Sequence, residues 1–268
     1  MDDRYSQGIE LADLSSLPEP ISNASEESED DGLMGEDSSS TFQVIGMNTQ
    51  ILHVQLEPND QVKFEPGMMM HMDPHVTPVT NFNCNASRCV GGESQSETQL
   101  QNHTAVSRVV GLTSNTPGAK IIPVALDDVG GRLHCLRGAW LATLGSARIS
   151  FDLDCRFLPC CFGGQGLRRQ LITAGGKGST VFLCGGGTVL RREMARHERV
   201  VLDDHCLLAW TGSVTFASRA AFDGCADLCC GCSGEGAFNF VVYGGDEGGV
   251  IYIQSMPFKK FRAAVVSS

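Results

Sequence analysis

The chain repeats short motifs at an interval of about 70 residues, and this repetition constrains its fold more than any other feature of the sequence. The segment Leu141–Ser146 recurs as Leu208–Ser213. Downstream, Gly164–Gly166 recurs as Gly234–Gly236 at a slightly longer interval. A unit of this size is too small to enclose a core by itself, so we expect the copies to pack on one another.

A further copy, more divergent in sequence, precedes these two. Gly67 matches Gly138, and Val109–Leu112 matches Val181–Cys184 at nearly the same interval. We therefore predict one β domain over residues 42–268, preceded by an acidic tail over residues 1–41. Its three degenerate repeats are expected at roughly residues 44–115, 116–190 and 191–262.

The hydrophobic pattern inside the copies is typical of β-strands. Apolar and polar residues alternate along Leu52–Leu56, which places one face of a strand in a core and the other in solvent. Val181–Cys184 and Phe240–Tyr243 are apolar throughout, which predicts strands buried on both faces. Glycine-rich turns such as Gly244–Gly249 separate the strands. These patterns predict an all-β fold, with one short helix near Ser218–Phe222.

The formal net charge of −11 belongs entirely to the N-terminal segment. Residues 1–40 contain twelve acidic side chains and one basic side chain, whereas the remainder of the chain contains 19 of each kind. This segment lacks periodic apolar residues, so we expect residues 1–41 to be disordered. Ser25 and Ser28 precede acidic runs, a pattern that acidophilic kinases accept. The alternative role of the tail is solubilisation.

The N-terminal sequence predicts a cytoplasmic protein. Positions 1–25 contain no apolar core like that of a signal peptide. They are also acidic, whereas a mitochondrial presequence is rich in arginine. We therefore expect the twelve cysteines to be reduced thiols. The apolar runs of the chain are far shorter than the ~20 residues of a membrane-spanning helix.

Six motifs spread over about residues 44–262 carry a family resemblance. They are Leu56–Pro58, Phe64–Met68, Pro117–Val124, Arg137–Ala142, Phe162–Gly166 and Val250–Ser255. In this order they resemble the altered-inheritance-of-mitochondria protein 24 family, of the tryptophan-RNA-binding-attenuation-protein-like (TRAP-like) group. The resemblance implies a TRAP-like double-stranded β-helix or β-sandwich, often assembled as a trimer in prokaryotic relatives. It also implies a link to mitochondrial inner-membrane organisation, hence a mitochondrial location as the alternative, and it carries over no catalytic residue.

Four closely spaced cysteines are the candidate metal ligands: Cys225, Cys229, Cys230 and Cys232. A structural zinc ion or a redox centre is their functional interpretation. However, adjacent cysteines do not easily ligate one ion, and the paired Cys-x-x-Cys motifs of a zinc ribbon are missing. Cysteine is also a common small apolar residue in β cores. We therefore predict no metal site, no cofactor and no catalytic residue.

Two other groups of residues suggest ligand binding. His71 and His75, with Asp73 between them, suggest a cupin-type metal centre, but they are four residues apart with Pro74 between them and so do not share one strand face. Gly163–Arg169 combines glycines and arginines that suit a phosphate, yet it does not follow the P-loop or dinucleotide pattern. RNA binding, which the TRAP-like group suggests, needs a basic field that the neutral body of the chain lacks.

These observations predict a non-enzymatic β scaffold or interaction protein. We expect it to form a homo-oligomer, because strand edges exposed by such a fold need to be covered. The alternative is a cupin-like protein that binds a small ligand or a metal ion. A polar, histidine-lined pocket inside the barrel would favour the alternative, whereas an interior filled by side chains would favour the scaffold.

Overall fold

A computed structural model describes residues 34–37, 40–82, 96–136, 138–153, 168–203, 205–220, 238–258, 260–261 and 265. The strands in these residues are β1 (Met34–Asp37), β2 (Ser40–Ile45), β3 (Ile51–Leu56), β4 (Gln61–Phe64), β5 (Met69–Met72), β6 (Val76–Phe82), β7 (Ser96–Asn102), β8 (Arg108–Thr113), β9 (Ala119–Ala125), β10 (Arg132–Leu136), β11 (Trp140–Leu144), β12 (Ala147–Leu153), β13 (Arg168–Ala174), β14 (Thr180–Gly186), β15 (Val189–Met194), β16 (Arg199–Asp203), β17 (Leu207–Thr211), β18 (Thr215–Ala220), β19 (Phe238–Tyr243) and β20 (Gly249–Gln254). A 3-10 turn, Leu126–Val129, joins β9 to β10. The predicted all-β class is confirmed.

The strands form four sheets, which we name A to D, and neighbouring strands are antiparallel. The strand order is β1-β2-β3-β8-β5 in sheet A, β6-β7-β4-β11-β14-β9 in sheet B, β12-β13-β10-β17-β20-β15 in sheet C and β16-β19-β18 in sheet D. Adding six to each strand number of sheet B gives the strand order of sheet C. Adding twelve to the first three strands of sheet B, β6-β7-β4, gives β18-β19-β16, which is sheet D. Subtracting six from the last three strands of sheet B, β11-β14-β9, gives β5-β8-β3 of sheet A.

Apolar side chains between the sheets form three cores. Core 1 lies between sheets A and B, core 2 between sheets B and C, and core 3 between sheets C and D. The sheets are therefore stacked in the order A, B, C, D. Core 1 combines Leu52 and Val62 of β3 and β4 with Leu141 and Phe182 of β11 and β14. Residues far apart in the chain thus share core 1, because sheet B combines β4, β6 and β7 with β9, β11 and β14.

Strand β14 is buried at every residue because its two faces meet different cores. Phe182 and Cys184 point into core 1, whereas Val181 and Leu183 point into core 2. Side chains on a strand alternate between its faces, so a strand with a sheet on each side must be apolar throughout. The prediction that Val181–Cys184 is buried on both faces is confirmed.

Two predictions for the last sheet are wrong. Phe240–Tyr243 in β19 alternates between buried and half-buried residues, because sheet D has a core on one side only. The short helix predicted near Ser218–Phe222 is replaced as far as Ala220 by strand β18, which pairs along its length with β19. Pairing with β19 overrides the local preference here, and Phe216 in β18 packs edge to face on Trp210, with ring centroids 4.8 Å apart.

The same turn recurs before three strands, and the same bulge recurs within them. A turn hydrogen bond closes on Glu65, Leu136 and Asp203, whose carbonyl oxygens accept from Met68, Ala139 and Cys206. The strand that follows each turn, β5, β11 or β17, then carries one extra residue as a β-bulge. Gly67 and Gly138 have φ values of +89° and +78° in the first two of these turns, which explains why glycine recurs there.

The strand register also corrects the alignment of the first copy. Gly111 pairs with His71, and Phe182 pairs with Ala142. His71 and Ala142 are equivalent, because each lies four residues after the matched glycine, Gly67 or Gly138. Gly111 therefore corresponds to Phe182, whereas the sequence motif matches it with Leu183. An uninterrupted apolar run such as Val181–Cys184 matches its copy almost equally well after a shift of one position, so sequence alone does not define the register.

We predict that Phe182→Ala lowers the free energy of unfolding by about 3–5 kcal/mol. Phe182 is fully buried in core 1 and meets the Phe42 ring edge to face at 4.8 Å, so the substitution leaves a cavity and removes an aromatic contact. Urea unfolding measures the change. Leu190→Ala, at a side chain of β15 that is 56% exposed, is the control and should cost less than about 0.5 kcal/mol. Equal losses in both variants would contradict the assignment of core 1.

Candidate functional site

Sheet A is the first layer of the stack, and its outer face carries a pair of histidines. His53 on β3 and His71 on β5 flank Gly111 on β8. Their Nε2 atoms are 3.0 Å apart, and the rings meet edge to face with centroids 5.0 Å apart. A Cβ atom on Gly111 would collide with the His71 ring, so the glycine makes this contact possible. One ring donates and the other accepts, which requires at least one neutral imidazole.

The surroundings of His53 weaken its binding of a proton. Partial burial, and secondly the positive charge of His71, lower the pKa of His53 below its usual value. In the unfolded chain His53 has an ordinary pKa of about 6.5. Below that pH the unfolded state therefore binds more protons than the folded state, and the contribution of His53 to stability falls as the solution is acidified. At neutral pH this contribution is fully present.

His75 makes a different contact, with Asp73. The Asp73 carboxylate accepts hydrogen bonds from the backbone N–H and Nδ1 of His75, both at 2.9 Å, and from the Arg108 guanidinium at 3.1 Å. The hydrogen bonds from His75, followed by that from Arg108, hold the pKa of Asp73 below its usual value. The structure thus directs His71 and His75 to separate partners. In the described part of the chain, no group of three or more histidine, cysteine or acidic side chains is placed to hold a metal ion.

The candidate cysteines Cys225, Cys229, Cys230 and Cys232 lie outside the described residues, as does most of the glycine-rich stretch before Arg169. Cys184 is described, and its burial in core 1 raises the pKa of its thiol to about 11. It is therefore protonated at neutral pH and behaves as a small apolar residue.

Arg169, the last residue of the stretch Gly163–Arg169 that was considered for phosphate binding, has a buried side chain. Its guanidinium carbon lies 5.5 Å from the centre of the Trp210 ring and 5.6 Å from that of Phe216. Its side chain is buried, and it sits within range of cation–π attraction to both rings. Arg169 thus contributes to the packing around Trp210 and Phe216 beside core 3.

Each end sheet has an edge strand that carries exposed apolar side chains and that pairs with a described strand on one side only. In sheet A this edge strand is β5, where Met69 and Met70 are 44% and 45% exposed. In sheet D it is β16, where Val201 is 50% exposed. Exposed strand edges with apolar side chains are sites at which further strands add. We call these the β5 edge and the β16 edge.

The stacked antiparallel sheets define this molecule as a layered β protein. Its distinctive surfaces are the β5 edge, the β16 edge and the histidine pair. A family model described as Mitochondrial biogenesis AIM24 matches residues 42–256. The chain belongs to this family, and the resemblance seen in its motifs is confirmed. None of the described residues forms a helix that is long and apolar enough to cross a membrane.

The fold is similar to that of protein SPYM3_0169 from Streptococcus pyogenes, with a TM-score of 0.65. The match covers 85% of this chain and 99% of the bacterial chain, at 22% sequence identity. At this identity the likeness shows a shared fold. No curated protein matches the chain.

We predict that His71→Gln raises the pKa of His53 towards about 6.5, because it removes the neighbouring positive charge. NMR titration of the histidine ring protons measures this pKa. The matched control is His75→Gln, since His75 contacts Asp73 instead of His53. An unchanged His53 pKa in His71→Gln, or an equal rise in both variants, would show that the two rings do not interact.

Proposed function

We propose that this protein is a non-enzymatic, oligomeric β scaffold, built as a TRAP-like double-stranded β-helix of three repeats. Membership of the AIM24 family supports the proposal. The strand order supports the repeats, because β3–β8, β9–β14 and β15–β20 correspond when strand numbers are shifted by six. Each repeat gives three strands to one sheet and three to the next, so that stacking the repeats builds a continuous body.

The observation that carries the proposal is the filled interior between the described sheets. Trp140, Phe182 and Trp210 are each at most 1% exposed, and they fill cores 2, 1 and 3. A cavity of about 410 Å³ bordered by Asp60 and Lys63 has no histidine in its lining, and a cavity of about 320 Å³ at sheet D is bordered by His197 and Arg199; both open to solvent. A cupin-like binder needs an internal polar pocket, so this interior favours the scaffold.

The exposed strand edges support the oligomeric part of the proposal. The β5 edge and the β16 edge both expose apolar side chains together with backbone hydrogen-bonding groups. A soluble protein that leaves such edges open is prone to add further strands. Covering them by other copies of the same chain satisfies both the backbone groups and the apolar surface.

We predict that sedimentation at micromolar concentration gives a mass of at least twice 28.7 kDa, the mass of one chain. The reason is that a single chain leaves both apolar edges in contact with water. Dilution should lower the mass toward that of one chain by mass action. A clean 28.7 kDa species at all concentrations would contradict the oligomeric scaffold.

Membership of the AIM24 family connects the protein to mitochondrial biogenesis. We extend the proposal to a role in mitochondrial organisation. We expect a copy with a fluorescent C-terminal tag to colocalise with mitochondria. A copy lacking residues 1–41 tests whether the acidic segment affects location. Diffuse cytoplasmic signal from both copies would contradict the mitochondrial role.

A further inference from the structure

A row of three residues crosses the outer face of sheet A, from His53 on β3 through Gly111 on β8 to His71 on β5. Strands β3 and β5 are about 10 Å apart, because each lies one strand spacing from β8. The two histidine side chains meet only because both extend over the middle strand. Gly111 leaves room for them, since a Cβ atom on this residue would collide with the His71 Nε2 atom. The row therefore holds two imidazoles above a residue that has no side chain.

The rows at the same position in the other two repeats contain no histidine. They have an aromatic residue in place of Gly111 and alanine in place of His71, and their members are Pro123, Phe182 and Ala142 in sheet B and Arg191, Tyr252 and Ala209 in sheet C. The repeat thus forms its sheets without a histidine pair. An exposed sheet face accounts for polar side chains but not for a glycine between them. Glycine inside a strand weakens it and often marks a place where a ligand approaches the backbone closely.

The spacing of the two ring nitrogens suits one metal ion. Metal–imidazole bonds are about 2.0–2.1 Å long, so an ion bound to two Nε2 atoms 3.0 Å apart has an angle of about 95° between these ligands. This angle is close to the one of about 90° between neighbouring ligands in square-planar or octahedral coordination. Neutral imidazole is a common ligand of divalent copper, nickel and zinc ions. The geometry and the chemistry of the donors therefore agree.

We propose that His53 and His71 form a binding site for a divalent transition-metal ion on the outer face of sheet A. Each Nε2 atom gives its lone pair to the ion. The ring that donates the hydrogen bond in the metal-free protein carries its proton on Nδ1 instead, so two neutral rings lose no proton. The His71 side chain is exposed, and its ring can turn to aim the lone pair at the ion. Water completes the coordination, since no group of three histidine, cysteine or acidic side chains is placed to hold a metal among the described residues.

A bound ion connects two strands that share no hydrogen bonds. Sheet A has the order β3-β8-β5 at this place, so β3 and β5 are joined only through β8. Strand β5 pairs with β8 alone among the described strands, and a bulge interrupts this pairing. An ion that binds only the folded state stabilises that state by mass action. The metal site therefore clamps β5 onto sheet A.

This site is independent of the proposed oligomeric scaffold. It also differs from a cupin-like centre, because it lies on a sheet face and not in an interior pocket. The sequence pattern places His71 with His75, whereas the structure brings His71 to His53 and His75 to Asp73. Sedimentation decides the scaffold, and metal binding decides the site, so either proposal can fail without the other.

Nickel(II) chloride is the probe, because nickel(II) favours square-planar or octahedral coordination and is not reduced by thiols. The full chain is titrated at a pH of about 7.5, where imidazole is neutral. NMR of the histidine ring protons follows the titration and reports each ring separately, so nickel bound by cysteines elsewhere does not obscure the result. In the wild-type protein, the signals of His53 and His71 should respond together and at a lower nickel concentration than those of the other histidines.

Three substitutions perturb the site and a fourth is the control. His53→Gln and His71→Gln each remove one ligand. Gly111→Ala keeps both histidines but displaces the His71 ring, which is exposed and has space to move. His75→Gln is the matched control, since it removes an exposed histidine that contacts Asp73. Circular dichroism and the Tm without metal should show that all four variants fold.

The three site variants should each bind nickel(II) at least about tenfold more weakly than the wild-type protein, because a lone imidazole lacks the effective concentration of its partner. In Gly111→Ala both ligands remain, and the loss comes from their separation beyond 3.0 Å. His75→Gln should bind as the wild-type protein does. Nickel(II) should raise the Tm and slow amide exchange in β5 for the wild-type protein and for His75→Gln only.

Unchanged nickel affinity in His71→Gln or in Gly111→Ala would overturn the proposal. An equal loss in His75→Gln would overturn it too, because the ion would then not depend on the row across sheet A. A simultaneous response of all histidines in the wild-type protein would likewise show that the pair is not a site.

Discussion

Strands that are buried on both faces connect the whole body of this protein. Strand β14 is the clearest case, since its alternate side chains Phe182 and Val181 belong to cores 1 and 2. Within sheet B it is also hydrogen-bonded to β11 on one side and to β9 on the other. A strand in this position satisfies its backbone groups within the sheet and loses its apolar surface to two cores. The cores on either side thus depend on the same element, which makes the layers interdependent.

Sheets A and D end the stack, so each has a neighbouring sheet on one side only. At sheet A, the polar pair His53 and His71 over Gly111 replaces the apolar side chains found at the corresponding place in sheet B. At sheet D, Val200 and Leu202 are left partly buried beside core 3. The two ends therefore differ in chemistry as well as in position. Terminal units of stacked repeat proteins commonly carry a more polar outer face for the same reason.

Much of the local structure could be predicted from the sequence, but little of the candidate site could. The alternation in Leu52–Leu56 correctly indicated a strand, and it also placed His53 on the solvent side. Its partner His71 lies 18 residues away in sequence, and only the order β3-β8-β5 brings the two rings together. No spacing rule detects such a pair, since β8 comes from a later part of the chain. The prediction for Phe240–Tyr243 failed because a short apolar run does not reveal how many of its faces will be covered.

By itself the sequence determined the all-β class, the family and the recurrence of motifs along the chain. These properties depend on local periodicity and on turn residues such as Gly67 and Gly138, which act over a few neighbours. Only the tertiary structure decided that the recurring units share sheets, so that β4 pairs with β11 and β10 with β17. It also decided which edges remain exposed. Strand pairing joins residues distant in the chain, and its register depends on packing against both neighbouring sheets at once.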